Sequence, residues 1–301
     1  MEKNLRKHCF DQAISLENKL EAKVGFMQGR LSPPVGGRIQ AFPWEDWQRE
    51  FPLGRQLGFR FIEWTLDQER LAENPLMTPA GQQTIRHLCG LHGIRIPALT
   101  GDCFMQAPFW KRGGTTGLAL QNDFLAVVRA CSALQISLLV VPLVDEGRLA
   151  NRHEQEAFLS FLQAQSGFFK DHGVRIALET DFPPSRVSGL VDTLDPESFG
   201  INYDIGNSAG LGYSYDDEFQ CYGSRIFHVH VKDRPRGGST VPLGEGNADF
   251  PGVFRGLADL GYQGDYILQT ARATDGDHAG ALRRYRDMVG NWIGATYGSR
   301  A

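Results

Sequence analysis

Four polar residues stand at or near the ends of short apolar runs, and their types are those that bind divalent cations or move protons. Glu179 closes VRIALE, Asp204 closes FGINYD, His230 sits within IFHVHVKD, and Gln269 closes GDYILQ. A charged or amide group at the end of a buried strand is costly unless it has a partner. Taken singly, each reads equally well as a capping or hydrogen-bonding group. Taken together at successive strand ends they read as one convergent site, because Glu, Asp, His and an amide oxygen are donors that a divalent cation accepts.

The elements that must position them follow from the hydrophobic pattern. Eight runs rich in Val, Ile, Leu, Phe or Tyr are long enough for strands and too short for helices: 23–28, 60–64, 94–99, 136–143, 174–179, 199–204, 226–232 and 265–269. Helical periodicity lies between them, at 44–57, 79–92, 116–134, 152–172, 215–222, 250–260 and 279–292, with a shorter stretch at 187–194. Glycines in LGF, LHGI, DHGV and LGY follow several of these helices, where a left-handed cap is expected. Strict alternation with near-continuous apolar strands predicts a parallel sheet covered by helices, and eight repeats predict its closure into a single (β/α)8 TIM barrel. The competing doubly wound sheet would want GxGxxG after its first strand, but the chain reads GRLSPP there. Residues 1–22 read as an N-terminal helical extension and 23–301 as one domain, with no linker dividing it.

Composition narrows the class. The 301 residues are 42% hydrophobic and 22% charged, with a formal net charge of −4. That is a soluble globular chain with no general attraction to nucleic acid or anionic membrane. No run is long enough to span a bilayer, and the N-terminus is too polar for a signal-peptide core. Five scattered cysteines without a CxxC pair fit reduced thiols and a cytoplasmic location.

The motifs LET (178–180), DIGN (204–207), HVHVKD (228–233) and LGEGNADF (243–250), with the opening MQGRLSPP (27–34), resemble the xylose isomerase-like barrels of sugar-phosphate isomerases and epimerases. The resemblance runs from Lys23 to the last strand. It implies one divalent metal (Mn, Zn, Mg or Co) held by Glu179, Asp204, His230 and the position occupied by Gln269, and a small-molecule sugar or sugar phosphate as substrate. By that match His230, rather than His228 one layer deeper, is the ligand.

Gln269 departs from the family pattern, which has glutamate there. Its amide oxygen can still ligate a hard cation, but it cannot exchange a proton near neutral pH. The two-glutamate epimerase mechanism is therefore incomplete, and a reaction with Glu179 as the one base is favoured: aldose–ketose isomerisation through an enediolate. The alternatives are a dehydratase or epimerase on the same barrel, a barrel that has lost catalysis and only binds, and an abasic-site endonuclease. The last is disfavoured by the acidic balance and by only eight histidines.

Asn207, Lys232, Arg234 and Arg236 lie in the following loops and are candidate substrate contacts, with Glu63 at the end of RFIEW as a hydroxyl acceptor. The glycines at 237, 238, 244 and 246 offer backbone amides for an anion. Asp102 and Cys103 follow the third strand at the mouth, Cys103 with a lining role. Gln28 and Arg30 more readily anchor their loop. Phe104, Phe109, Trp110 and Tyr213 are expected to cover a sugar face or pack a partner subunit, which makes a homo-oligomer possible.

Overall fold

The computed structural model describes residues 23–298; the expected helical extension at 1–22 lies outside the described residues. Eight parallel strands close into a barrel in sequence order: β1 (Val24–Met27), β2 (Ile62–Thr65), β3 (Ala98–Thr100), β4 (Leu138–Leu143), β5 (Arg175–Thr180), β6 (Phe199–Asp204), β7 (Ile226–Val231) and β8 (Tyr266–Leu268). The barrel closes through β1 and β8, with Val24 opposite Tyr266 and Phe26 opposite Leu268.

The helices are α1 (Glu50–Gln56), α2 (Pro79–His92), α3 (Asp102–Gln106), α4 (Gly114–Ala133), α5 (Arg152–Ala164), α6 (Ser166–Asp171), α7 (Pro184–Val191), α8 (Ile205–Leu211), α9 (Tyr215–Tyr222), α10 (Phe250–Asp259) and α11 (His278–Gly298). Local chemistry sets their ends. The Thr78 side chain accepts from Gly81 N, Pro79 fills the first turn of α2, and Gly93 closes it at φ 62°. The helix expected from Trp44 begins instead at Glu50, because Pro52 lacks an N–H and is tolerated only in a first turn. The stretch 152–172 is broken at Gln165 into α5 and α6. The short helix after Pro183 starts three residues earlier than expected, with Pro184 in its first turn. Two helices, α3 and α8, have no apolar periodicity long enough to be read.

Successive strand residues alternate between the helical shell and the barrel axis. The bottom of the interior is a small apolar cluster of Ala98, Leu138, Val140 and Ala177, packed by Phe227. Phe227 turns into this layer where the β6–β7 register shifts between Ile201 and Asn202. Gly200 makes room for it: a Cβ there would stand 2.4 Å from Phe227 Cγ. Gly25 is likewise required, since a Cβ would meet Phe61 Cβ at 2.7 Å. Above these lie the polar residues of β2, β5, β6 and β7. The interior is a filled core with its polar layer at the C-terminal ends of the strands.

Three of the four aromatics expected at the mouth lie elsewhere. Phe104, Phe109 and Trp110 are buried in the main core, where Phe109 packs on Phe158 and Phe161, so they neither cover a ligand nor face a partner. Cys103 is in the same core, 1% exposed, and is not among the residues lining the cavity at the strand ends; burial pushes its thiol well above the ordinary range. Among the described residues, no helix is long and apolar enough to cross a membrane.

Candidate metal centre and cavity

Asp204 shows how the fold aims a ligand. It is the last residue of β6 and the N-cap of α8, and its Oδ1 accepts from Asn207 N at 2.8 Å. One oxygen is thus fixed by the cap, and Oδ2 is left beside Lys232 Nζ at 2.7 Å. DIGN is strand end, cap and helix start in four residues.

The other ligand candidates converge on the same point. One oxygen each from Glu179 and Asp204 and one ring nitrogen of His230 all lie within 4.8 Å of one another, and all three residues are buried. His230 Nδ1 is 3.4 Å from Glu179 Oε2. Asn202, two residues before Asp204 on the same face, donates to Glu179 Oε2 at 2.7 Å and lies 2.9 Å from His230 Nδ1. Asn207 Nδ2 donates to Glu179 Oε1 at 2.8 Å, and Arg234 in turn donates to Asn207 Oδ1 at 2.9 Å.

Beneath the three, Glu63 anchors the histidines. Its Oε1 lies 2.9 Å from His230 Nε2 and its Oε2 2.5 Å from His228 Nε2, while Thr100 donates to Oε1. Glu63 is fully buried and lines no part of the cavity, so the structure places it under the site rather than against a sugar hydroxyl. His228, 3% exposed, is the deeper core histidine that its position on the strand implied. Glu63, His228 and His230 form a second donor group, but its members are committed to one another.

Burial opposes the charge on each of these groups, and neighbours decide the outcome. Burial would raise Glu63, but the two imidazoles hold it well below the usual carboxylate range. Burial would lower His230, but the carboxylates of Glu63 and Glu179 carry it up to about 10. Glu179 is held low against burial by the hydrogen bond and charge of His230 and by the Lys232 ammonium. For Asp204 burial prevails and its carboxyl is raised, with Lys232 opposing.

Gln269 is 8% exposed at the end of β8. Its Oε1 accepts from Lys232 Nζ at 3.0 Å, so Lys232 bridges the Gln269 amide and Asp204. Its Nε2 donates to Gln40 Oε1 at 2.8 Å, and Gln40 Nε2 donates to Asp102 Oδ2 at 2.7 Å. Arg30 NH2 also reaches Gln40 Oε1, at 3.3 Å. Burial, with the charges of Asp67 and Glu179, lifts the Asp102 carboxyl up to about 7, against the Gln40 hydrogen bond and Arg30.

Above these groups opens a cavity of about 430 Å³. Glu179, Asn207, Lys232, Arg234, Gln269, Asp102 and Gln40 line it, with Ile39 and Leu211 as partly exposed apolar residues. The volume lies in the range of small-molecule sites. Arg236 lies outside the lining: its backbone N is held by Asn247 Oδ1, and its guanidinium packs beside Gly212. The amides of Gly244 and Gly246 do not await an anion, because both donate to Asp233 Oδ2, at 2.8 and 2.9 Å. Asp233 also accepts from Ala248 N and thereby pins the loop after β7.

Gln40 and Asn202 escaped the sequence reading. Asn202 was within reach, since a polar residue two positions before Asp204 shares its face. Gln40 sits in an irregular loop and carries no sequence signal.

A closed (β/α)8 barrel with a carboxylate–histidine cluster at the C-terminal strand ends defines the structural class. Residues 51–288 match the xylose isomerase-like TIM barrel family, and the chain belongs to it. The L-ribulose-5-phosphate 3-epimerase UlaE of Escherichia coli O157:H7 is 27% identical over 270 residues, spanning 85% of this chain and 93% of its own. Among solved structures, the zinc-bound IOLI protein superposes with a TM-score of 0.73 at 17% identity, covering 91% of this chain and 99% of that one. A D-tagatose 3-epimerase-like protein gives 0.67 at 18% identity, covering 93% and 100%.

Proposed function

We propose that this protein is a divalent-metal-dependent isomerase or epimerase of a sugar or sugar phosphate, with Glu179 as the base that removes a proton from the carbon beside the substrate carbonyl. The observation that carries the reading is the position of Glu179, ionised, on the cavity wall and within one compact donor group with Asp204 and His230. The similarity to UlaE, an epimerase by name, supports a keto-sugar phosphate as substrate.

The donor set fits a metal. Two carboxylates and an imidazole suit Mn, Zn, Mg or Co, and Asn202 and Glu63 orient them from behind. In this reading Gln269 supplies its amide oxygen as the fourth donor in exchange for Lys232. A bound divalent cation would polarise the substrate carbonyl and stabilise the enediolate.

The protein's own groups do the rest. Asn202 and Asn207 fix both Glu179 oxygens, and so aim the carboxylate at the cavity. Lys232 and Arg234 supply positive charge for the enediolate or a phosphate. The free Cys89, Cys103, Cys131 and Cys221 support a reducing compartment, the cytoplasm.

Metal analysis and solvent exchange test this reading. Purified protein is expected to hold about one metal equivalent and to wash deuterium from solvent into a ketose or its phosphate, with Glu179→Gln losing the exchange. A folded protein with neither metal affinity nor exchange would overturn it.

A further inference from the structure

Beyond Glu179 the cavity wall carries Asp102, Asp145 and Asp181, which the metal-site reading leaves unused, and Asp102 is the buried one of the three. Asp102, 6% exposed, opens α3 directly after β3 and lines the same cavity as Glu179. It is joined to Gln269 by a directed chain. Lys232 Nζ donates to Gln269 Oε1, Gln269 Nε2 donates to Gln40 Oε1, and Gln40 Nε2 donates to Asp102 Oδ2. Both amides turn their oxygens toward the ammonium and their NH2 groups toward the carboxyl. Their dipoles therefore couple a cation at one end to an acid at the other.

Gln269 cannot itself exchange a proton, but the chain from it ends on a group that can. Resting on the proton-transfer reaction proposed above, we propose that Asp102 is a catalytic residue that delivers a proton to the face of the substrate turned away from Glu179, so that the product is an epimer. Glu179 breaks the C–H bond beside the carbonyl, keeps the proton, and leaves an enediolate. The Asp102 carboxylic acid then forms the new C–H bond on the opposite face and is left as carboxylate. Proton exchange with water returns Glu179 to carboxylate and Asp102 to acid, so no oxidant or further reactant is needed.

The surroundings of Asp102 suit this role. Burial and the nearby Asp67 and Glu179 favour its protonated form, Arg30 and the Gln40 amide favour its anion, and the balance near 7 lets it act in both forms. Cys103, next in the chain, turns into the core and takes no part.

The test follows exchange and epimerisation together in the metal-loaded full chain in deuterated water, with L-ribulose 5-phosphate and D-tagatose as probes. Wild type is expected to form the epimer with deuterium at the inverted carbon. Asp102→Asn and Asp102→Ser are expected to keep deuterium wash-in to recovered substrate within about threefold, while epimer formation falls on the order of 100-fold. The retained exchange shows that the variants are folded. Epimerisation at the wild-type rate in either variant overturns the proposal, as does a parallel loss of exchange and epimerisation or a wild type that exchanges and isomerises without inverting a centre. A wild type with no exchange on either probe fails the underlying reading instead, and loss of wild-type exchange in Glu179→Gln tests that reading independently of Asp102.

Discussion

Glu63 Oε1 lies 2.9 Å from His230 Nε2, across the barrel from β2 to β7. That contact leaves His230 Nδ1 facing Glu179 and Asn202, the side on which a cation would bind. Metal-ligating histidines are held in this way by a carboxylate on the far nitrogen, which fixes the tautomer and strengthens the donor. Glu63→Gln keeps the shape but removes the charge that supports both imidazoles. The expected result is a 10–100-fold weaker metal affinity, measured by competition with a chelating dye.

Removing a ligand should act on stoichiometry. In Asp204→Ala and His230→Ala, bound metal is expected to fall from about one equivalent to none by elemental analysis. Asp204→Ala also removes the N-cap of α8, so it should lower stability by about 1 kcal/mol beyond the loss of metal. Chemical denaturation of the metal-free proteins measures that difference.

Gln269→Glu places a carboxylate 3.0 Å from where Lys232 donates. It should bind metal more tightly and supply a base on the face opposite Glu179. In the Asp102→Asn background it is expected to restore epimerisation by about tenfold or more. No restoration, together with weaker metal binding, would contradict the role assigned to this position.

Asp102 also links stability to pH. Its native carboxyl, lifted from 3.8 to about 7, holds a proton that the unfolded chain has released. Its contribution is therefore fully present below about pH 4 and is lost as pH rises through 7, to a total of up to about 4 kcal/mol. Asp102→Asn removes this dependence. The stability gap between wild type and variant, followed by urea denaturation from pH 4 to 8, should shift steadily against the wild type.

Asp233 is fully buried and accepts from the amides of Gly244, Gly246 and Ala248. Asp233→Ala unpins the loop that carries Arg234 by removing the shared acceptor of three partly buried amides, at a cost of about 1 kcal/mol per hydrogen bond. A several-fold rise in KM with a smaller change in kcat is expected in steady-state kinetics. An unchanged KM would show that the loop does not shape the cavity.

Strand order, closure and the clustering of Glu179, Asp204 and His230 were legible in the residues, because a buried parallel strand is written as a continuous apolar run and its polar end stands out. The stretches FGINYD and Tyr215–Tyr222 run to the same ends in sequence and structure. Legibility failed where no period exists. The α3 and α8 helices are too short, and α1 was set by Pro52 rather than by its apolar spacing. The amides of Gly244 and Gly246 looked free for a ligand only because Asp233, which holds them, is 11 and 13 residues away, as Asn247 is 11 residues from the Arg236 backbone N that it holds.

The sequence by itself determined the alternation that closes a barrel, the convergence of Glu179, Asp204 and His230 at successive strand ends, and the absence of an exchangeable acid at Gln269. Only the tertiary structure decided that Glu63 lies beneath the histidines and that Gln269 is tied through Gln40 to Asp102. The physical reason is range. Periodicity and strand-end polarity are local and survive in one dimension. The contacts that fix a tautomer or hold a proton run between β2 and β7, 167 residues apart, and from β8 back to the first loop, 229 residues apart, and only closure of the barrel brings them together.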